Sequence, residues 1–296
     1  MFALSEQFLA MEGYTRDLQS RTCQALELLD GRQFSDDVWV RPGGGGGKTR
    51  VIQHGAVFEK GGVNTSFVYG QMPAEVALQL HVTPMQFGAC GISIVLHPLS
   101  PRIPTVHMNL RCFELEDGHL WFGGGVDLTP YFPYLQDFRH FHRTLKHACE
   151  AVIPGSYAAY KQRCDAYFMI RHRHEMRGIG GIFFDHLPGS DSRHLQLAQS
   201  VGGAFLASYL PLVTLHKDEP YTEADRQFQL VRRGRYIEFN LIYDQGTLFG
   251  LQTNARVESI FISLPPVLNF LYDWKPEPNT PYEEMSRYYQ PRAWAE

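Results

Sequence analysis

Hydrophobic positions recur every three or four residues over the first thirty residues of the chain. Leu4, Phe8 and Met11 begin this pattern, and it stops at Gly31. The spacing predicts one or two amphipathic helices that end at the glycine. The same spacing predicts helices over three further segments, namely residues 134–152, 157–176 and 191–213.

Apolar and polar residues alternate between residue 50 and about residue 130, which is typical of strands separated by Gly and Pro. The predicted strands are VIQHGAVFEKGGVNTSFVYG, GISIVLHP, TVHMNLRCFELEDG and HLWFGGGVDLTP. Their connections are short enough for antiparallel neighbours. A final strand pair is predicted in RGRYIEFNLIYDQGTLFGLQTN. Because we find no internal repeat, linker or charge run, we predict one α+β domain over residues 1–296.

The segment RPGGGGGKTR, residues 41–50, imitates the end of a phosphate-binding loop. That motif needs a Gly at the position of Pro42 and a helix afterwards, whereas the following RVIQHGAVFE indicates a strand. We therefore predict that residues 43–47 form a mobile loop, and that this loop covers a cavity when substrate is bound.

The composition narrows the class of protein. With 44% hydrophobic and 20% charged residues among 296, the chain can bury a large core, which excludes intrinsic disorder. The net charge of −4 argues against nucleic acid as a partner. No apolar run is long enough to span a membrane and the N-terminus lacks a secretory pattern, so we expect a cytoplasmic protein. Five scattered cysteines are expected to be small buried hydrophobes.

One face of a predicted strand carries candidate chemistry. Alternation in TVHMNLRCF places His107, Asn109 and Arg111 together. If the segment GISIVLHP pairs with it, Ser93 and His97 join the same sheet surface. The pattern fits a solvent-facing side of a half-buried sheet, and it also fits a surface that meets an anionic ligand, since this set contains no acid to neutralise the arginine.

Two more histidines lie on predicted helix faces. His142 lies in the middle of an apolar stripe formed by Leu135, Phe138, Leu145 and Cys149. His172 ends the stripe of the next predicted helix, which is formed by Tyr157, Tyr160, Cys164 and Phe168. Such histidines are more often satisfied core residues than ligands. Four histidines could in principle converge on one divalent metal, although no local ligand motif is present.

The predicted final strand pair supplies an acid. Its alternation places Glu238, Asn240, Ile242 and Asp244 on one face. Asp244 begins the turn Asp-Gln-Gly, for which ordinary turn formation is an equally good explanation. Arg256 follows in an uncharged stretch, where it is either a surface arginine or a second contact for an anion.

Five long segments together resemble the oxygen-dependent coproporphyrinogen oxidases. They are GAVFEKGGVNTSFVYG, LHPLSPRIPTVHMNLRCF, WFGGGVDLTPYF, RHRHEMRGIGGIFFD and GRYIEFNLIYDQGTLFGLQTNARVESIFISLPP. The similarity runs from about residue 35 to the C-terminus. It implies a large antiparallel sheet flanked by helices on both sides, and a homodimer with the C-terminal strand region, about residues 236–271, at the interface.

The resemblance also implies an activity in heme biosynthesis. Members of the family convert coproporphyrinogen III to protoporphyrinogen IX by oxidative decarboxylation of two propionates to vinyl groups, and they consume dioxygen. The porphyrinogen supplies the electrons, so no redox cofactor is implied. A divalent metal cation remains a candidate cofactor.

Site residues follow from matching segment to segment. His107 corresponds to a proposed proton donor, and Asp244 to an aspartate proposed to hold or deprotonate a pyrrole nitrogen. The implied substrate contacts are Ser93, Asn109, Leu110, Arg111, Asn254, Ala255 and Arg256. The implied metal ligands are His97, His107, His142 and His172. The shared segments also include Asp127.

The chain departs from the family pattern at three places. Gln245 replaces the arginine of the usual Asp-Arg-Gly, Asn254-Ala255 replaces Gly-Gly, and His174 is an additional histidine. Two other functions stay open on the residues alone. One is a tetrapyrrole carrier without turnover, and the other is a histidine-ligated metal oxygenase or hydrolase that acts on another substrate.

Overall fold

Seven antiparallel strands form the main sheet of the structure, a computed structural model that describes residues 2–74, 77–78, 82–252 and 255–296. In sheet order the strands are β1 (Ser35–Val40), β2 (Gly45–Gln53), β3 (Phe58–Gln71), β4 (Gln86–Pro98), β5 (Thr105–Leu115), β6 (Leu120–Thr129) and β9 (Gly180–Pro188). A separate short pair is formed by β7 (Met169–Ile170) and β8 (Glu175–Met176). The first six strands thus pair with their neighbours in the chain.

Helices cover both faces of this sheet, as expected for an α+β fold. They are α1 (Glu6–Asp30), α2 (Leu135–Glu150), α3 (Ser156–Tyr167), α4 (Arg193–His216), α5 (Glu223–Ile242), α6 (Gln245–Gln252), α7 (Val257–Phe261) and α8 (Pro281–Ser286). The predicted N-terminal helix is confirmed, and it ends at Gly31, whose positive φ of 83° suits a residue without a Cβ.

The two faces of the sheet differ in character. One face packs against α1 and α4 through buried residues such as Ile92, Met108 and Leu110. The other face, which we call the polar face, carries a row in cross-strand register. That row consists of Asp37, Thr49, Asn64, Ser93, Asn109, Gly125 and Phe183. Alternation along the strands therefore separates the core from the candidate chemistry.

The predicted final strand pair is wrong, because its residues form α5 and α6. Thr222 and Asp225 make a reciprocal capping box that starts α5. Phe228, Tyr236 and Phe239 then form a buried stripe at helical spacing. The alternating aromatic and polar residues that suggested a strand are buried on more than one side of this helix, so its pattern lacks a clean 3.6-residue period.

Two further boundaries differ from the prediction. The helix predicted over residues 157–176 ends at Tyr167, and His172 lies on a 3₁₀ turn, Arg171–Arg173, outside the predicted stripe. The glycine run is also largely strand, since Gly45, Gly46 and Gly47 belong to β2 and pair with β3, and Gly46 and Gly47 pair with β1 as well.

Close packing explains the glycines better than mobility does. A Cβ on Gly47 would lie 2.4 Å from the ring of Trp39, and Gly45 has a positive φ of 80°. The prediction of a loop over residues 43–47 is therefore wrong for residues 45–47, which are strand.

Within the described residues, α4 is the one helix long and apolar enough to cross a membrane by length and composition. It packs on the sheet, with Val201, Phe205 and Tyr209 in the core. Its outer side forms a shallow apolar groove of about 700 Å³ with no charged side chain. The groove is lined by Leu206, Ala207, Leu210, Pro211, Thr214 and Leu215. It offers no group for acid–base chemistry.

Candidate active site

The pairing of β4 with β5 assembles the centre of the polar face. Ser93 lies opposite Asn109, and Val95 lies opposite His107, as the alternation predicted. Ser93, Asn109 and His107 are all partly exposed. This part of the sheet is therefore polar and accessible to a ligand from solvent.

His107 is oriented by an aspartate on the next strand. Its Nδ1 lies 2.8 Å from Oδ1 of Asp127 on β6, and its ring meets Phe168 edge to face. In neutral imidazole this contact places the proton on Nδ1 and the lone pair on Nε2. Among the described residues Nε2 has no hydrogen-bond partner, and the side chain is 21% exposed. Nε2 is thus available to exchange a proton with a bound molecule.

Asp127 is held in turn by a buried arginine. Nη2 of Arg177 donates to both oxygens of Asp127, at 2.9 and 2.8 Å, and Nη1 donates to Asn240 at 2.6 Å. The guanidinium lies between the rings of Phe168 and Tyr236, with its carbon 4.2 and 4.3 Å from the two ring centres. Helix α5 therefore contributes to the site through Asn240 and Tyr236.

Opposed electrostatic effects set the charge of this network. Burial favours the neutral form of Asp127, but the charge of Arg177 and the contact with His107 outweigh it, so the pKa of Asp127 lies below its usual range. Burial likewise works against the charge of Arg177, yet Asp127 keeps the pKa of Arg177 above its usual range. Both side chains are only 2% exposed. The pair is a fixed support for His107.

Arg111 occupies the same face and has an acidic partner that the sequence did not reveal. Its Nη2 lies 2.7 Å from Oδ2 of Asp185 on β9, and its Nη1 donates to Asn109 at 3.0 Å. The arginine crosses β6 over Gly123, where a Cβ would lie 2.5 Å from the carboxylate of Asp185. Glycine at this position leaves the space in which the ion pair forms.

Asp244 caps a helix and also faces the site. Its Oδ2 accepts hydrogen bonds from the backbone N–H and the hydroxyl of Thr247 in the first turn of α6. Its Oδ1 accepts a hydrogen bond from the hydroxyl of Tyr167 at 2.8 Å. A carboxylate offers about four acceptor positions, so one stays available for a ligand N–H.

Tyr167 connects Asp244 to the polar face. Its ring stacks on Phe183 at 4.5 Å, and the guanidinium carbon of Arg111 lies 6.0 Å from the centre of the same Phe183 ring. Burial, reinforced by the charge of Asp244, raises the pKa of Tyr167 well above its usual value, so the phenol stays protonated as a donor.

The remaining predicted contacts divide by location. Arg256 precedes α7, and its Nη2 lies 2.6 Å from Oδ2 of Asp37 on β1. Leu110 is fully buried and points to the core, so its side chain cannot meet a ligand on the polar face. Ala255 is exposed, and Asn254 lies outside the described residues.

Two groups of residues pack on the polar face and cover its two sides, so that its centre stays open between them. Near β1–β3, Ser259 bonds to Thr49, and Ile262 lies against Gly62. Near β6 and β9 the cover consists of α5, Tyr167 and Phe168. The floor between the covers carries hydroxyl, amide, imidazole and guanidinium groups, which suit an anionic organic ligand and a proton transfer.

This geometry can be compared with known families. The sequence model of the family described as Coproporphyrinogen III oxidase matches residues 10–294. The chain belongs to the coproporphyrinogen III oxidase family. Membership in this family makes the chain an oxidoreductase of porphyrin biosynthesis, with coproporphyrinogen III as the implied substrate.

Within the described residues, His97, His107, His142 and His172 do not form a metal site together. Both ring nitrogens of His97 have partners, Ser263 at 2.8 Å and Thr105 at 3.3 Å, and Nδ1 of His142 lies 2.8 Å from the hydroxyl of Tyr157. His172 is held by Tyr243 and Glu238. The described residues contain no group of three or more His, Cys, Asp or Glu side chains that could hold a metal ion. The donor set therefore does not fit a single ion.

Burial acts on two of these histidines. The pKa of His97 is lowered by burial and by the charge of Arg233, and that of His142 by burial and by the charge of Lys161. Both rings are fully buried. His142 is accordingly a core residue on α2 whose Nδ1 is paired with Tyr157, while its buried Nε2 has no hydrogen-bond partner among the described residues.

The sequence reasoning missed three site residues, Arg177, Tyr167 and Asp185. Arg177 follows the histidine-rich turn and precedes a glycine-rich strand, a setting with no recognisable period. Asp185 ends the run GGIFFD on β9, which reaches the site only because β9 pairs with β6. Two of the departures from the family pattern, Gln245 and His174, have exposed side chains.

Proposed function

We propose that this chain catalyses the oxygen-dependent conversion of coproporphyrinogen III to protoporphyrinogen IX. Family membership supports the substrate, and the open polar face supports binding of a carboxylate-bearing macrocycle. In this proposal the reaction takes place in the cytoplasm. The observation that carries the proposal is His107, whose Nδ1 is fixed by Asp127 while its Nε2 has no hydrogen-bond partner among the described residues and its side chain is 21% exposed.

The chemistry needs one proton for each vinyl group formed. The propionate breaks its Cα–carboxylate bond and loses a hydrogen from Cβ, so that carbon dioxide leaves and two electrons pass to dioxygen. With one added proton, dioxygen leaves as hydrogen peroxide, and the atoms and charges balance. The porphyrinogen is the reductant. We assign the delivery of the added proton to Nε2 of His107, whose ring Asp127 holds in place through Nδ1.

The other site residues bind and orient the macrocycle. Asp244 accepts a pyrrole N–H on Oδ1, beside the hydrogen bond from Tyr167. Arg111 and Arg256 receive propionates, and Ser93 and Asn109 contact the macrocycle from the floor of the sheet. Asn254 and Ala255 precede Arg256 and complete this contact. Because the histidines do not fit one metal ion, no step is assigned to a metal.

The experiment begins with metal-stripped protein and coproporphyrinogen III under anaerobic conditions. Air is then admitted, and the porphyrins are separated by chromatography after oxidation. We expect protoporphyrin only with enzyme and air. Replacement of His107 by Gln should lower kcat by about 10²- to 10⁴-fold. The matched control is His119→Gln, since the side chain of His119 is 78% exposed and pairs with Asp117 in an exposed turn.

Three results would contradict the proposal. Binding of porphyrin without product would favour a carrier. Product that forms only after a divalent metal is restored would return the histidines to the mechanism. Equal activity of the wild type and of His107→Gln would remove the imidazole from the proton transfer.

We also propose that the protein is a homodimer through the region of residues 236–271. The structure gives this region as α5–α7 and the segment after them, in place of the expected strands. Its exposed apolar side chains support an interface. They include Leu241, Ile242, Leu251, Val257, Val267, Phe270 and Leu271, and the exposed Tyr272 directly follows the region.

The dimer can be tested by sedimentation equilibrium. Tyr272 is fully exposed in the single chain, so Tyr272→Glu removes no internal packing. We expect this variant to sediment as a monomer. Leu28→Glu, at an 83% exposed position of α1, should leave the mass unchanged. A monomeric wild type would refute the proposal.

A further inference from the structure

Both arginines assigned to substrate carboxylates already hold a carboxylate in the free chain. Arg111 pairs with Asp185 at 2.7 Å, and Arg256 pairs with Asp37 at 2.6 Å. In each pair the closest atoms are Nη2 of the arginine and Oδ2 of the aspartate. The same chemical contact that a propionate would make is therefore occupied twice by the protein itself.

The two aspartates stand at opposite ends of the polar face. Asp37 lies on β1 and Asp185 on β9, the two edge strands of the sheet. Six strand spacings separate them, which is about 29 Å. Arg111 crosses β6 over Gly123 to reach its partner. The pairs thus draw both guanidinium groups toward the rims and leave the uncharged Ser93 and Asn109 in the centre.

These two ion pairs are more exposed to solvent than the buried pair of Asp127 and Arg177 that supports His107. The side chains of Arg111 and Asp185 are 39% and 24% exposed. Those of Arg256 and Asp37 are 29% and 45% exposed. Water screens such pairs, so each is weak and an external carboxylate can replace the aspartate without burying an unpaired charge.

Each aspartate has other polar surroundings when it loses its arginine. Nδ1 of His186 lies 3.4 Å from Oδ2 of Asp185, and the amide of His186 donates to Oδ1 at 2.9 Å. Released Asp37 is close to half exposed and can be hydrated. Arg256 has a second acidic neighbour, since Glu258 lies 3.7 Å from its Nε and also competes with a ligand carboxylate for this arginine.

We propose that Asp37 and Asp185 are stand-in carboxylates that compete with the propionates of the substrate for Arg256 and Arg111. This inference rests on the proposed function, which makes the ligand a tetracarboxylate. Binding then exchanges one carboxylate for another at each arginine. The exchange lowers the net gain from each arginine–propionate contact, so the aspartates weaken the binding of a carboxylate at these two arginines and keep the arginines paired once that carboxylate has left.

The direction of a binding change tests the inference. Coproporphyrin III, the oxidised and unreactive tetracarboxylate, serves as the probe, and its tetramethyl ester serves as the uncharged probe. Asp185→Asn and Asp37→Asn should each bind coproporphyrin III about two- to fivefold more tightly at low ionic strength. Binding of the ester should not change. Asp117→Asn, which lies in the turn between β5 and β6, is the matched loss of one negative charge.

Each outcome decides the matter. Unchanged or weaker binding by folded Asp185→Asn and Asp37→Asn would overturn the inference alone, since it would show that the aspartates orient the arginines instead of competing for them. Equal tightening by Asp117→Asn would also overturn it, because net charge would then explain the effect. A wild type that fails to bind coproporphyrin III would overturn the proposed function together with the inference. Thermal unfolding confirms that each variant is folded.

Discussion

Replacing Asp127 by Asn would leave the charge of Arg177 buried without its counterion. The two side chains are each 2% exposed, and the arginine keeps only its neutral partner Asn240 and the surrounding rings. Breaking a buried pair from one side typically costs about 3–5 kcal/mol of stability. We expect Asp127→Asn to lower the free energy of unfolding by that amount, far more than a surface substitution does.

A double-mutant cycle separates the ion pair from simple packing. Arg177→Met fills a similar space without charge, and the variant that carries both substitutions has no unpaired charge in the core. The double variant should therefore be more stable than Asp127→Asn alone. Urea unfolding followed by fluorescence of the four tryptophans measures all three variants.

The pH dependence carries a definite sign. Because the pKa of Asp127 is lower in the folded chain than in the unfolded chain, its charge stabilises the fold above the unfolded value of about 3.9. This stabilisation is lost as the pH falls through the folded pKa. The difference in stability between the wild type and Asp127→Asn should therefore shrink on acidification below about pH 4.

Asp117→Asn is the control, since Asp117 lies in an exposed turn with His119. It should change the free energy of unfolding by less than about 0.5 kcal/mol. A loss of under about 1 kcal/mol in Asp127→Asn, or a double variant destabilised by the full sum of the single losses, would refute the argument that Asp127 neutralises a buried charge.

Three further predictions concern the helices and the buried histidines. Thr222→Ala should lower the free energy of unfolding by about 1 kcal/mol through loss of the α5 capping box, whereas Thr222→Ser should not. Tyr167→Phe should cost about 1 kcal/mol by removing a donor from Asp244, with the exposed Tyr221→Phe as the neutral control. The pKa values of His97 and His142 are lower in the folded chain than in the unfolded chain, so the free energy of unfolding should decrease as the pH falls below about 6.5. The decrease should reach up to about 1.4 kcal/mol per pH unit for each histidine. Urea titrations at several pH values measure this decrease, and a free energy that does not change with pH would contradict the prediction.

The strands that carry the site followed from the sequence because their alternation is clean. His107, Asn109 and Arg111 alternate with fully buried Met108 and Leu110, so the facing directions were fixed by a period of two. Helix α5 was misread for the opposite reason. Its polar residues Arg233 and Asn240 are buried beside the apolar stripe, and their hydrogen-bond partners lie elsewhere in the fold, so the stripe alone does not mark the buried side in the sequence.

The hydrogen-bond and ion-pair partners of the site residues could not be predicted from local sequence patterns. Asp185 meets Arg111 because β9 adds to the sheet beside β6 after an intervening pair of helices. Arg177 reaches Asp127 across 50 positions of sequence. Sequence spacing predicts which side of an element a residue faces, but only the tertiary fold brings distant elements into contact.

The order of the strands has a consequence for synthesis of the chain. Strands β1–β6 pair with their sequence neighbours, so this part of the sheet can form as soon as it leaves the ribosome. The segments that border the open face, α5 and residues 255–264, follow these strands in the chain. A nascent chain therefore carries a partly folded sheet whose reactive side is still bare, and it gains Asn240 and Asp244 only with α5 and the turn after it. We expect catalytic competence to appear only after residue 264 has been added, and not in proportion to the length already made.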